Sequence, residues 1–120
     1  MEALETQEGE EEVDKTASFN ALQESFLALV GEKLATYYYN LGYESYKAED
    51  YENAIPNLER AYDYNTTNGD ALFYLGNSYR RTGEEDKAKE IYAKVIDDFP
   101  DTKKARDAET YLAEINNQNQ

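Results

Sequence analysis

Apolar residues recur at three- and four-residue intervals along most of the chain. The first such series is Phe19, Leu22, Phe26, Leu29 and Val30. This period is typical of a helix with one apolar face, and it predicts an N-terminal helix over residues 18–34. Gly31 either ends this helix or lies inside a longer one, because one glycine costs a helix only about 1 kcal/mol. No stretch of any length alternates like a β-strand, so the pattern predicts an all-α protein.

The pattern then repeats with a period of 34 residues. Leu41-Gly42 and Leu75-Gly76 differ by 76 − 42 = 34 positions. Each copy reads as a helical hairpin, and the turns contain Gly, Asn, Pro or Asp. The helices are predicted at about 35–47, 51–64, 68–81 and 84–98. The further residue pairs related by the same shift are Ala54 and Ala88, Leu58 and Tyr92, and Ala61 and Val95.

A final helix and two tails complete the predicted organisation. Asp101 or Thr102 caps the final helix, and its Ala105, Ala108, Leu112 and Ile115 fall at helical spacing. The predicted segments are a disordered acidic tail (1–17), an N-terminal helix (18–34), a repeat domain (35–116) and a disordered tail (117–120). Within the repeat domain, the repeats span about 35–68 and 69–102, and the last helix, 102–116, caps the array.

The composition disfavours several classes of function: binding of nucleic acids, insertion into membranes and catalysis. The chain has 26 acidic and 12 basic residues, a net charge of −14, and no Cys or His. Such a charge disfavours nucleic acid and anionic membranes as partners. The longest apolar run, Phe26 to Val30, is too short for direct membrane insertion. Without Cys or His, and without a phosphate-binding glycine loop or a nucleophile motif, we expect no enzyme activity, no cofactor and no metal site.

The residues at the 34-residue period resemble those of tetratricopeptide repeats. This family shows an aromatic residue, then Leu-Gly, then Tyr in the first helix, Ala with an aromatic residue in the second helix, and then Pro. The first copy departs from the pattern with Ser45 in place of Tyr and Thr66 in place of Pro. The second departs with Leu72 in place of the first aromatic residue and Val95 in place of the late Ala. The matching residues are Tyr38, Leu41, Gly42, Ala54, Leu58 and Ala61 in the first copy, and Leu75, Gly76, Tyr79, Ala88, Tyr92 and Pro100 in the second.

The resemblance implies a superhelix of tandem hairpins whose first helices line a concave groove for a peptide or partner protein. Thr36, Asp70 and Tyr74 fall on the same helix faces as the residues assigned to binding. Aromatic anchors and arginines that pair with carboxylates suit such a groove. The alternative is that these tyrosines belong to the core. The residues assigned to partner binding are Tyr39, Asn40, Tyr43, Tyr46, Lys47, Phe73, Asn77, Arg80 and Arg81.

Other interpretations stay open or are disfavoured. The family includes a carboxylate-clamp type, but Tyr39 and Tyr43 occupy the positions of its Lys and Asn. A second functional hypothesis is a homo-oligomerisation module, in which the stripe from Phe19 to Leu41 pairs with its own copy, giving a homodimer. The run Ile91 to Asp101 is similar to repeats of bacterial cell-envelope scaffolds. The compartment therefore stays open between the cytoplasm and the outer side of a membrane-anchored protein.

Overall fold

The computed structural model describes the backbone of residues 2–118 and the side chains of residues 18–118, and it divides into two compact units, Met1–Glu32 and Lys33–Gln120. Between residues 2 and 118 every regular element is helical. The predicted all-α fold of tandem helical hairpins is confirmed. The helices are α1 (Glu2–Lys47), α2 (Tyr51–Tyr64), α3 (Gly69–Arg81), α4 (Glu85–Asp98) and α5 (Lys103–Gln118).

The helix bounds settle one open question. Gly31 lies within α1, so the helix continues through it. The bounds of α1 also include residues 2–17, for which disorder was predicted. The side chains there lie outside the described residues, and the disordered tail stays a prediction. In the first unit, the described apolar side chains Phe19, Leu22 and Phe26 are 63–70% exposed.

The 34-residue period places glycine where two helices come closest. A Cβ atom at Gly42 would lie 2.7 Å from Cγ of Leu58, and one at Gly76 would lie 2.9 Å from Cε1 of Tyr92. Side-chain carbons do not approach this closely in packed interiors, so both positions need glycine. Leu58 and Tyr92 are 0% exposed. The two hairpins, α1 with α2 and α3 with α4, are therefore packed by equivalent contacts.

The turn inside each hairpin also repeats. Glu49 and Gly83 are 34 positions apart, and both have a positive φ, 62° and 85°. The amide of Asp50 donates to the carbonyl of Ser45, and the amide of Glu84 donates to that of Tyr79. These bonds, made just after a left-handed residue, end a helix by satisfying its last carbonyl groups. Both hairpins therefore turn by the same backbone conformation.

Side-chain caps fix the starts of three helices. Asp50 accepts from the amide of Asn53 at 3.4 Å, and Asn68 accepts from the amide of Ala71 at 3.0 Å. Thr102 accepts from the amide of Ala105 at 3.1 Å. Thr102 is thus the cap of α5, and Asp101 precedes it with a φ of 65°. Such caps satisfy amides that have no partner within the helix.

The last helix covers the apolar side of the second hairpin. Its Ala105, Ala108 and Ile115 are at most 4% exposed. They join the core that α2, α3 and α4 form around Leu72 and Val95. α5 therefore contacts the array as the predicted capping helix would, although it runs to Gln118 and so enters the segment predicted to be disordered. Residues 119 and 120 lie outside the described residues.

Candidate functional site

Three helices contribute equivalent side chains to one aromatic surface. Tyr43 on α1, Asn77 on α3 and Tyr111 on α5 follow one another at intervals of 34 positions (77 − 43 = 34 and 111 − 77 = 34). Between them lies a chain of ring contacts that joins all three helices. We call this surface the aromatic face, and it comprises Tyr39, Tyr43, Tyr46, Phe73, Tyr74 and Tyr111.

Tyr74 lies at the centre of the aromatic face. Its ring centroid is 5.2 Å from that of Tyr43, 4.8 Å from that of Tyr46 and 5.8 Å from that of Phe73. Tyr39 stacks on Tyr43 at 5.8 Å. Ring pairs at such separations add stabilisation beyond the area they bury. Because each ring contacts a neighbour, the surface is held in one arrangement before any ligand arrives.

A hydrogen-bonded network supports the aromatic face from below. The side-chain amide of Asn77 donates to the Tyr46 hydroxyl at 3.0 Å. The Tyr92 hydroxyl donates to Oδ1 of Asn77 at 2.5 Å, and Nε of Arg80 donates to the same hydroxyl at 3.0 Å. Burial raises the pKa of Tyr92 to about 12, against the opposing effect of the Arg80 guanidinium. Tyr92 therefore remains a neutral donor at physiological pH.

Basic side chains lie over the rings, and most of them are already paired. Lys47 lies over Tyr43 and pairs with Glu44 at 2.8 Å. Lys104 lies over Tyr74 and pairs with Asp70 at 3.2 Å. Arg80 differs, because its guanidinium carbon lies 4.1 Å from the Tyr111 ring centroid. Within residues 18–118 it forms no ion pair with a carboxylate.

Comparison of the sequence with protein-family models also detects the repeat. A family model of the tetratricopeptide repeat matches residues 45–110, more than half of the chain. The chain belongs to the tetratricopeptide repeat family. Tetratricopeptide repeats generally mediate protein–protein interaction and are typically non-catalytic. No curated protein was found with significant similarity to the chain.

The predicted binding residues differ in their solvent exposure and are half-buried, buried or exposed. Tyr39, Tyr43, Tyr46 and Arg80 are half-buried on or beside the aromatic face. Phe73 and Asn77 are buried, at 7% and 5% exposure, so they support the surface more than they display it. Their assignment to a binding site stays a prediction. The remaining predicted residues are exposed: Asn40, Lys47 and Arg81.

Three further tyrosines that match the repeat pattern lie in the core or against it. Tyr79 and Tyr92 are buried. Tyr38 is half-buried and packs against the core, with its ring stacked 6.0 Å from that of Tyr64. The Tyr79 hydroxyl donates to the carboxylate of Glu59 on α2 and so links the two hairpins. Tyr92 contacts the aromatic face from below through the rings of Phe73 and Tyr111.

Two members of the aromatic face were not among the predicted site residues. The sequence places Tyr74 on the same helix face as the predicted residues, whereas Tyr111 lies one period beyond the second repeat. Extending the period once more gives 77 + 34 = 111. This step would have identified Tyr111 on the last helix. Among the residues that the structure describes, no helix is long and apolar enough to span a membrane.

Proposed function

We propose that the aromatic face binds an extended or helical segment of a partner protein. The observation that supports this most is the row Tyr39, Tyr43 and Tyr74, which is half-buried and still reaches solvent, while the helices beneath it are well packed. Aromatic rings with polar tips are enriched where proteins bind one another, because they bury much area and still satisfy their hydroxyl groups.

The contacts of the rings favour recognition of a peptide. Each ring is fixed by a neighbour or by the network below it, so binding would cost little side-chain entropy. Lys47 and Lys104 at the edge offer positive charge within an otherwise acidic protein. The net charge of −14 also favours a protein ligand over a nucleic acid.

The test compares two tyrosines of α1. Peptides selected from a displayed library against the full chain supply the ligand. Tyr43 belongs to the aromatic face but is not among the residues packed on the core, and Tyr37, 56% exposed, lies outside the face. Tyr43→Ala is expected to weaken binding by about 2 kcal/mol, roughly 30-fold, as for an interface hot spot. Tyr37→Ala is the matched control and leaves the affinity unchanged. Equal effects of the two substitutions, or none, would refute the proposal.

A second candidate function is self-association through the N-terminal unit. Phe19, Leu22, Phe26 and Leu29 lie at three- and four-residue spacing on a helix and are 50–70% exposed. A helix with one unburied apolar stripe is suited to pairing with another helix. The same stripe of a second copy would provide the complementary surface of a homodimer.

Sedimentation equilibrium tests the second candidate. Phe26→Asp introduces a charge into the stripe, whereas Leu27→Asp places the same charge one residue away, on a different side of the helix. The proposal predicts that the chain is a dimer at micromolar concentration and that only Phe26→Asp makes it a monomer. A monomeric wild-type chain, or equal effects of both variants, would contradict it.

A further inference from the structure

Arg80 lies beside the aromatic face and is held in place without a carboxylate partner among residues 18–118. Its guanidinium lies on the ring of Tyr111, with the central carbon 4.1 Å from the ring centroid. Its Nε donates to the hydroxyl of Tyr92 at 3.0 Å. Within residues 18–118, no hydrogen bond or ion pair uses its two terminal nitrogen atoms.

The other basic groups nearby differ from Arg80 in this respect. Lys47 pairs with Glu44, Arg81 lies 3.9 Å from Glu49, and Lys104 pairs with Asp70. A new carboxylate would have to compete with these partners. At Arg80 the ring and the Tyr92 hydroxyl fix the plane of the fork and leave its outer edge free. A planar guanidinium fixed in this way matches the two oxygens of a carboxylate.

We propose that Arg80 binds a carboxylate of the peptide that the aromatic face receives, and that this contact selects the ligand. The inference rests on the proposed function of the face. The carboxylate belongs either to an Asp or Glu side chain or to the C-terminus of the ligand. Both sources offer the same two oxygens, so they are separated by experiment.

Selections with two peptide libraries test the inference on the full chain. One library displays peptides with free C-termini, and the other displays them internally, so enrichment of acidic residues or of free ends identifies the source of the carboxylate. Arg80→Gln is expected to weaken the selected peptides about 10- to 100-fold, as for a hydrogen bond to a charged group. Arg80→Lys keeps the charge but loses the planar fork, and it should not restore affinity. Arg106→Gln removes the same charge from an exposed position on α5 and leaves affinity unchanged.

A change in the ligand provides a test that does not depend on the folding of a variant. Replacing the ligand carboxylate by an amide should weaken binding to the wild-type chain as much as Arg80→Gln does, and it should have no further effect on that variant. Peptides that bind equally well as carboxylates and amides would overturn the role of Arg80 and leave the aromatic face as a binding surface. Selections that yield no binding peptide from either library would count against the proposed function itself.

Discussion

The hydroxyl of Tyr92 donates a 2.5 Å hydrogen bond to Oδ1 of Asn77, which joins α4 to α3 beneath the aromatic face. Tyr92 is 0% exposed and Asn77 is 5% exposed. The other end of the Asn77 amide reaches Tyr46 on α1. One buried amide therefore links the two hairpins and supports the tyrosines above it. Fully satisfied buried networks of this kind favour a single side-chain arrangement.

Removing the Tyr92 hydroxyl tests this link. Tyr92→Phe keeps the ring but leaves Oδ1 of Asn77 without its donor, and an unsatisfied buried acceptor costs about 1–3 kcal/mol. We expect urea unfolding to show this loss. The control is Tyr62→Phe, because the hydroxyl of Tyr62 has no hydrogen-bond partner among residues 18–118 and its ring lies near Lys94. Equal stability of the two variants would argue against the network.

Stability should fall at alkaline pH because burial raises the pKa values of several tyrosines. Burial raises the pKa of Tyr92 to about 12 despite the opposing effect of the Arg80 guanidinium, and burial together with Asp70 raises the pKa of Tyr39 to about 12. An unfolded chain releases these protons near pH 10. The stabilisation is therefore complete below about pH 10 and is lost as the pH rises through 12.

The slope of this loss can be measured. Tyr92 alone should contribute a fall in the free energy of unfolding of up to about 1.4 kcal/mol per pH unit between about pH 10 and pH 12. Urea unfolding at several alkaline pH values gives the slope, and the Tyr92→Phe variant should show a shallower one. A variant slope as steep as that of the wild type would show that Tyr92 titrates normally.

Replacing glycine by alanine should lower the stability at Gly76, where a Cβ atom would meet other side chains, but not at Gly31, where the space is open. Gly76→Ala would place a Cβ atom 2.9 Å from Tyr92 and 3.2 Å from Ile91. We expect a net loss of about 1–2 kcal/mol, since overpacking outweighs the better helix propensity of alanine. The control is Gly31→Ala, which meets no atom within 4 Å. It should leave stability equal or slightly higher, as measured by urea unfolding. A Gly76→Ala protein at least as stable as the wild type would contradict the packing.

The equivalent turns predict a second pair of opposite effects. Glu49 adopts a φ of 62° and Gly83 a φ of 85°. Glycine has this conformation without strain, whereas other residues lose about 1 kcal/mol. We expect Glu49→Gly to raise the melting temperature and Gly83→Ala to lower it. Changes of the same sign at the two positions would show that the turns are not equivalent.

Much of the fold followed from spacing alone. The pairs Gly42 with Leu58 and Gly76 with Tyr92 are related by the 34-residue period, so one packing contact between the helices of a hairpin predicts its equivalent in the next hairpin. The predicted helix over residues 51–64 agrees with α2 at both ends. The helix through Gly31 was left open because the propensity cost of one glycine is too small to decide it.

The sequence predicted the residues of the candidate site less well than it predicted the helices. Tyr39 and Tyr92 have the same side chain, but one is half-buried on the aromatic face and the other is fully buried. The difference depends on which helix packs against each ring, and spacing within one helix does not contain that information. Phe73 was assigned to the binding surface for this reason, although contacts with Tyr92 and Tyr111 bury it.

The most direct test of the aromatic face is nuclear magnetic resonance of the full chain with a selected peptide. Intermolecular nuclear Overhauser effects from the peptide should reach the ring protons of Tyr39, Tyr43 and Tyr74. Tyr62, on α2 and outside the aromatic face, serves as the reference. Contacts at the three tyrosines and none at Tyr62 are the predicted result. Contacts confined to Tyr62 and its surroundings, with the three tyrosines unaffected, would contradict the aromatic face as the binding surface.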